Sequence, residues 1–290
     1  MTSPGDGTRR WFTAALFVLW ATGVAAQGDA RRGEYVARAA GCVGCHTEKK
    51  EGAVPYAGGR ALPTPFGTFY GPNITPHPEA GIGRWTEADL LRALREGRRP
   101  DGAHYFPAFP YPSYTRITDA DARDLWAYLR TLPPDPRPNR PHELNFPFGW
   151  RFPVAIWKWL YFEPGPFVDD AKRAPNLNRG AYLVQALGHC GECHTPRNAL
   201  GGPRADRYLA GGTGPDGKAV PNLTPTRLKQ WSDDDLRNFL VAGITPDGDV
   251  PAESMGEVIQ NTTSQLTRAD LDAMIAYLRS LPPLPDEPKK

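Results

Sequence analysis

Methionine is almost missing from this chain. Only Met1, Met255 and Met274 occur in 290 residues. Cysteine is nearly as scarce, with four residues at positions 42, 45, 190 and 193. Two tight pairs leave no thiol over for a framework of long-range disulfides. Charge of one sign is not in excess. The 34 basic and 32 acidic side chains give a net charge of +2, so nucleic acid is not an implied partner. No alternating strand pattern stands out, and no nucleophile motif or phosphate-binding loop is present. What the chain has in plenty is proline (32) and glycine (30), which favours long ordered loops over continuous helix or sheet.

The N-terminus reads as a secretory signal. Arg9-Arg10 close a polar stretch, residues 11–23 are apolar or small, and Val24-Ala25-Ala26 fits a cleavage site that leaves Gln27 first. The apolar run is short for a membrane span. An uncleaved anchor is the alternative reading. Removing residues 1–26 leaves 32 basic and 31 acidic side chains. The expected compartment is the periplasm.

The cysteines themselves are the main signal. Cys42-Val43-Gly44-Cys45-His46 is matched by Cys190-Gly191-Glu192-Cys193-His194. Cys-x-x-Cys-His is the attachment sequence for c-type haem. Two thiols add to the two vinyl groups of the porphyrin, and the histidine supplies the proximal nitrogen to iron. A zinc site would want two further paired ligands. A thioredoxin-like pair would leave the histidine unexplained. The expectation is two covalent haem c groups, held by Cys42, Cys45, His46, Cys190, Cys193 and His194. These use every cysteine.

The motif sits in a longer repeat. Arg32-Gly33-Glu34-Tyr35 recurs as Arg179-Gly180-Ala181-Tyr182, and Asn73-Ile74-Thr75-Pro76 as Asn222-Leu223-Thr224-Pro225. Ala127-Tyr128-Leu129-Arg130 recurs as Ala276-Tyr277-Leu278-Arg279. The offset of 146 to 149 residues is that of a duplicated domain. In each copy a first helix precedes the cysteine motif. Thr86 with Asp89, Thr118 with Asp121, Ser232 with Asp235 and Thr267 with Asp270 mark helix starts. Gly97, Gly243, Pro133 and Pro282 mark ends. The expected fold class is all-α, with a signal at 1–26, domains at 27–134 and 174–290, and a Pro- and aromatic-rich strap at 135–173. The strap's buried aromatics would fix the separation of the two domains. Its alternative role is a docking patch for a partner or a membrane surface.

This layout resembles two tandem class I cytochrome c domains, each wrapped around one haem. In that family the first and last helices cross beside the haem, with a glycine on one and an aromatic on the other. Gly33 with Tyr128, and Gly180 with Tyr277, occupy those places. The segment from His104 to Tyr111 resembles the distal loop of the cytochrome c subunits of membrane-bound alcohol and gluconate dehydrogenases. The resemblance implies single-electron transfer. The donor would be a dehydrogenase, and the acceptor a cytochrome or an oxidase, with peripheral membrane association as a further option.

Distal ligands separate the two copies. Met255, in a loop 61 residues after His194, is the expected sixth ligand of the second haem, whereas Met274 reads as core. The first copy has Phe109 where the second has Met255. His104, 58 residues beyond His46, could make a bis-His haem. Otherwise the iron is open behind Phe109, or takes His77 or Lys49. An open first haem would suit a haem enzyme of the peroxidase or thiosulfate-oxidising kind. His142 and His189 read as structural histidines.

Overall fold

The structure, a computed structural model, describes residue 1 and residues 28–214, 217–251 and 253–286. The signal sequence and its cleavage site fall on residues 2–27, outside the described ones.

Both copies follow the same order of elements. In the first, α1 (Ala30–Ala39) is capped by Asp29 and leads through Gly41 into α2 (Cys42–His46). A hairpin of β1 (Ala61–Thr64) and β2 (Gly67–Tyr70) follows, then α3 (Glu87–Glu96), α4 (Tyr111–Tyr114) and α5 (Asp119–Leu129). The connecting segment holds β3 (Glu143–Leu144), which pairs with β2, and α6 (Phe152–Tyr161). In the second copy α7 (Pro175–Tyr182) runs on through a π-helical turn at Leu183–Leu187 to α8 (Gly191–His194). A two-residue ladder of β4 (Gly212–Thr213) and β5 (Ala219–Val220) precedes α9 (Pro225–Leu228), α10 (Asp233–Ala242), α11 (Glu253–Asn261) and α12 (Arg268–Ser280).

The fold is helical but not all-α. Two small antiparallel sheets are present, with order β1-β2-β3 in the larger. Pro63 hid β1 in the sequence, because proline cannot donate to a ladder. β1 is an edge strand, where that loss is tolerated. Two helices also lie where the sequence reads loop. Gly256 interrupts the helical pattern of α11, at a cost of about 1 kcal/mol. Salt bridges from Glu253 and Glu257 to Lys49 help hold α11 in place. α6 begins beside Pro153 in a segment read as a strap.

The crossing of first and last helices occurs in both copies. A Cβ added to Gly33 would lie 1.8 Å from the Asp124 carbonyl oxygen and 2.8 Å from Tyr128 Cβ. At Gly180 the same construction meets the Ala273 carbonyl oxygen at 2.0 Å and Tyr277 Cβ at 2.8 Å. Only glycine permits α1 to touch α5, and α7 to touch α12, this closely.

The two copies pack directly on each other, and one apolar core runs through both. Val36 and Leu125 belong to it, as do Leu183 and Ile275. The polar contacts at the boundary come in exchanged pairs. Tyr35 Oη donates to Asp270 Oδ2 at 2.6 Å and accepts from the Thr267 amide. Tyr182 Oη donates to Asp121 Oδ2 at 2.5 Å and accepts from the Thr118 amide. Tyr35 and Tyr182 are repeat equivalents, as are Asp121 and Asp270, so the boundary has a pseudo-two-fold axis. This also explains the four helix caps. Thr86–Asp89 and Ser232–Asp235 close as full capping boxes. At α5 and α12 the Thr118 and Thr267 hydroxyls accept from the third amide, but the aspartate carboxylates turn to the tyrosines of the other copy.

The connecting segment differs from the expected buried strap. Trp157 and Tyr161 are partly buried, and Tyr161 closes on Gly202 and Asn198 of the second copy. Phe146, Phe148, Trp150, Phe152 and Trp159 are exposed. The copies share a core directly, and the segment adds the Tyr161 contacts to it.

Candidate functional site

Each cysteine motif forms a single helical turn. Gly41, in the left-handed region at φ 64°, turns the chain from α1 into α2. In the second copy His189 takes that role at φ 39° before Cys190. None of the four cysteines is in a disulfide, and burial pushes the thiols of Cys42 and Cys190 up to about 12. The Cys45 thiol is raised as well, again chiefly by burial, so these three are neutral thiols.

The histidines are oriented identically. His46 Nδ1 lies 2.7 Å from the Pro72 carbonyl oxygen, and His194 Nδ1 lies 2.8 Å from that of Pro221. A carbonyl can only accept, so Nδ1 carries the proton and Nε2 keeps a free lone pair. Burial lowers the pKa of both rings, opposed by those carbonyls, which keeps them neutral and able to ligate. The carbonyls are presented by the repeated Pro-Asn-x-Thr turn. Asn73 Oδ1 accepts from the Thr75 amide, and its Nδ2 donates to the Asp135 carbonyl oxygen. Asn222 does the same with Thr224 and Leu284. Sequence reasoning saw these turns as a repeat but missed their task, which is to aim the histidine from behind.

Two orphaned polar atoms sit beside the cysteines. Arg60 Nε is buried without a partner, and the Arg60 charge reaches Cys45. Tyr208 Oη is likewise unpaired, its ring against Gly191 and its electrostatics coupled to Cys190. Such groups await a partner that is not protein. A cysteine pair on one turn, a neutral histidine with Nε2 free and unpaired donors nearby are a donor set that fits covalent haem. Among the described residues no three His, Cys, Asp or Glu side chains converge as a structural zinc site would require.

The remaining candidates are placed as follows. Met255 is half-buried on α11, halfway round the helix from Glu253 and Glu257. Those two acids reach Lys49, and Glu257 also takes Arg60 at 2.8 Å, so the outer face of α11 is clamped to the first copy. Ile259, on the Met255 side, packs toward Gly243 of the second copy. Met274 is core, as expected. His104 is turned to Lys158, with Nδ1 3.2 Å from Nζ, in a cleft lined by Arg98, Trp159 and Phe162. Lys158 spends its other hydrogens on the Glu96 and Gly97 carbonyl oxygens, and burial pulls its ammonium down to about 8. His77 Nδ1 accepts two local amides, and Lys49 is ion-paired. The structure thus gives His104, His77 and Lys49 other partners. Phe109 instead stacks on Tyr114 at 5.7 Å, and Tyr114 Oη donates to the Ala40 carbonyl oxygen beside the first cysteine helix.

The two cysteine helices face the copy boundary. Gly44 abuts Asn261, and Glu192 accepts from Ser113 Oγ at 2.6 Å. Tyr114 also meets the ring of His189, which precedes Cys190, at 5.4 Å. One side chain therefore touches segments leading into both motifs.

The sequence profile of the cytochrome c family matches twice, over residues 30–133 and 177–282. The chain is 47% identical over 259 residues to "Diheme cytochrome c-type" of Cereibacter sphaeroides, a match covering 88% of this chain and 86% of that protein. It is 39% identical over 295 residues to the cytochrome c subunit of alcohol dehydrogenase (quinone) from Gluconobacter oxydans, covering 95% of this chain and 61% of that protein. Against the fructose dehydrogenase cytochrome subunit of Gluconobacter japonicus the identity is 43% over 256 residues, covering 87% of this chain and 52% of that protein. The chain thus spans most of the first relative and less than two thirds of the other two.

Proposed function

The chain belongs to the cytochrome c family, with two copies of its domain, and from that premise we propose that it is an exported dihaem cytochrome relaying single electrons from a dehydrogenase to a respiratory acceptor. The signal would occupy residues 1–26, and the haem domains residues 27–134 and 174–290, joined by 135–173. The observation that carries the reading is the matched pair of cysteine turns. Each has a neutral histidine held from behind by a proline carbonyl. Bound haem would supply the one-electron chemistry, and the protein's own groups fix its place, ligands and surroundings. Cys42 and Cys45, and Cys190 and Cys193, would anchor the two porphyrins. His46 and His194 would offer Nε2 to the irons, and Met255 would offer its sulfur on the far side of the second.

The dehydrogenase donor is supported by the relatives, several of which are named as cytochrome subunits of dehydrogenases. The periplasm is supported by the haem-attachment motifs and the N-terminal signal pattern.

The first haem would differ. His104 would have to leave Lys158 to become its ligand, whereas Phe109 and Tyr114 already close ranks beside the first cysteine helix. An iron held by His46 alone is the second reading, and it would allow small-molecule chemistry there. Carbon monoxide added to the reduced protein tests this. Rapid binding at one haem of two supports a five-coordinate first haem. Absence of rapid binding refutes it and returns His104 to candidacy. In Met255→Leu the charge-transfer band of ferric thioether-ligated iron should vanish and one of two potentials should fall. An unchanged band would refute the role of Met255.

A further inference from the structure

α11 belongs to the second copy but is seated on the first. It carries Met255 near its start. On the opposite side Glu257 accepts from Arg60 Nη2 on both carboxylate oxygens, each at 2.8 Å. Lys49 donates to Glu257 at 2.9 Å and also to Glu253. Lys218 of the second copy adds its charge at Glu253. At the other end of the helix, Asn261 lies against Gly44, one of the two residues between the cysteines of α2. A Cβ built on Gly44 would stand 3.3 Å from Asn261 Nδ2. One built on Gly41 would stand 2.7 Å from Oγ1 of Thr262, the next residue.

The first copy returns the arrangement. Phe109 stands where the repeat has Met255, and α4 follows it. Ser113 of α4 donates to Glu192, the repeat equivalent of Gly44, at 2.6 Å. Tyr114 meets the His189 ring at 5.4 Å. The segment that holds the distal-ligand position in one copy thus rests on the cysteine turn of the other.

For α11 that support decides the helix. It is nine residues long with Gly256 inside it, and an isolated helix so short is marginal in water. The pairs that hold it are unequal. The Arg60 and Glu257 side chains are 15% and 30% exposed, against 58% and 76% for Lys49 and Glu253. Exposed ion pairs contribute little, whereas a sheltered one with a charged donor contributes more. Arg60 is also anchored at the first site. Its Nε is buried, and its charge opposes the rise of the Cys45 thiol.

We infer that Arg60 is a positioning residue for Met255. Through Glu257, the first copy sets how firmly the second copy offers its methionine to iron, with Lys49 in a lesser part. This rests on the reading of Met255 as the distal ligand of the second haem.

The test is titration of the haem-loaded ferric protein with imidazole, which competes with a thioether for ferric iron. Loss of the thioether charge-transfer band, which on that reading belongs to the second haem, follows the competition. Met255→Leu should lack the band. A band that survives there would overturn the reading, and the inference with it. Imidazole should displace the ligand at about tenfold lower concentration in Arg60→Gln and Glu257→Gln, and at about threefold lower concentration in Lys49→Gln. Glu257 and Lys49 are more exposed than Arg60, so their variants decide the matter if Arg60→Gln fails to take up haem. Tyr35→Phe combined with Tyr182→Phe weakens the same boundary through contacts outside α11 and should titrate as wild type. Loss of the band in Met255→Leu with an unchanged titration in Glu257→Gln would overturn the inference and leave Met255 a ligand. So would an equal shift in the tyrosine double variant, since a loosened boundary would then explain it.

Discussion

Replacing Tyr35 and Tyr182 by phenylalanine, singly and together, tests the boundary between the copies. Each change keeps the ring and deletes one hydroxyl. That hydroxyl donates to a carboxylate, at 2.6 Å for Tyr35 and 2.5 Å for Tyr182, and accepts a backbone amide. A hydrogen bond to a charged group contributes about 1.5 to 3 kcal/mol. The two sites are equivalent by sequence but not by surroundings. Asp270 keeps the Arg179 guanidinium, with contacts at 2.8 and 2.7 Å, after Tyr35 is altered. Tyr35 is also only partly buried, whereas Tyr182 is 5% exposed. Tyr35→Phe should therefore cost about 1 kcal/mol and Tyr182→Phe about 2 to 3 kcal/mol. The double variant should lose about the sum, lowering the midpoint of thermal unfolding by roughly 10 °C. Guanidinium titration followed by haem absorbance gives the values. A double variant within about 0.5 kcal/mol of wild type would refute the argument. So would a Tyr35 variant that costs more than the Tyr182 variant.

Two further perturbations follow from the same packing. Gly180→Ala places a methyl 2.0 Å from the Ala273 carbonyl oxygen, a backbone atom, so α7 and α12 must separate. A loss of about 3 kcal/mol, measured by denaturant titration, is expected, and a neutral effect would contradict the crossing. The Asp270 carboxyl is held below its ordinary value: burial raises its pKa, but the Arg179 guanidinium and the Tyr35 hydroxyl together outweigh that. Its contribution is then present above about pH 4 and lost as pH falls through the lower folded value. Stability measured from pH 6 downward should show a shallower acid limb in Asp270→Asn than in wild type.

Much of the site could be read from residues alone, because its chemistry is local. Cys42-x-x-Cys45-His46 and its copy carry their own geometry, and the glycine–aromatic crossing needs only Gly33 with Tyr128 and Gly180 with Tyr277. The helix starts were visible as Thr or Ser followed three residues later by Asp. What could not be read was where Asp121 and Asp270 spend their carboxylates. Their tyrosine partners lie 61 and 235 residues away. Locally, all four caps look the same. β1 was concealed by Pro63 and α11 by Gly256, two cases in which neighbouring segments overrule local preference. α6 was missed for a different reason. Its pattern of apolar and charged residues is inverted, so the usual rule assigns its faces wrongly. His104 shows the limit of counting, since its distance from His46 along the chain suits a ligand while its ring is engaged with Lys158.

The exchanged Tyr–Asp contacts have a consequence for what each half can do alone. Each copy carries both members of the contact, a tyrosine on its first helix and an aspartate at the start of its last. Either half therefore holds the complement of its own surface, and the chain is in effect a dimer written into one polypeptide. Two molecules whose halves come apart can trade partners through the same four side chains. The 135–173 segment, docked on the first copy through Lys158 and the β2–β3 pairing, then acts as a tether. It keeps the proper partner at high local concentration, so that self-pairing within the chain outcompetes exchange between chains.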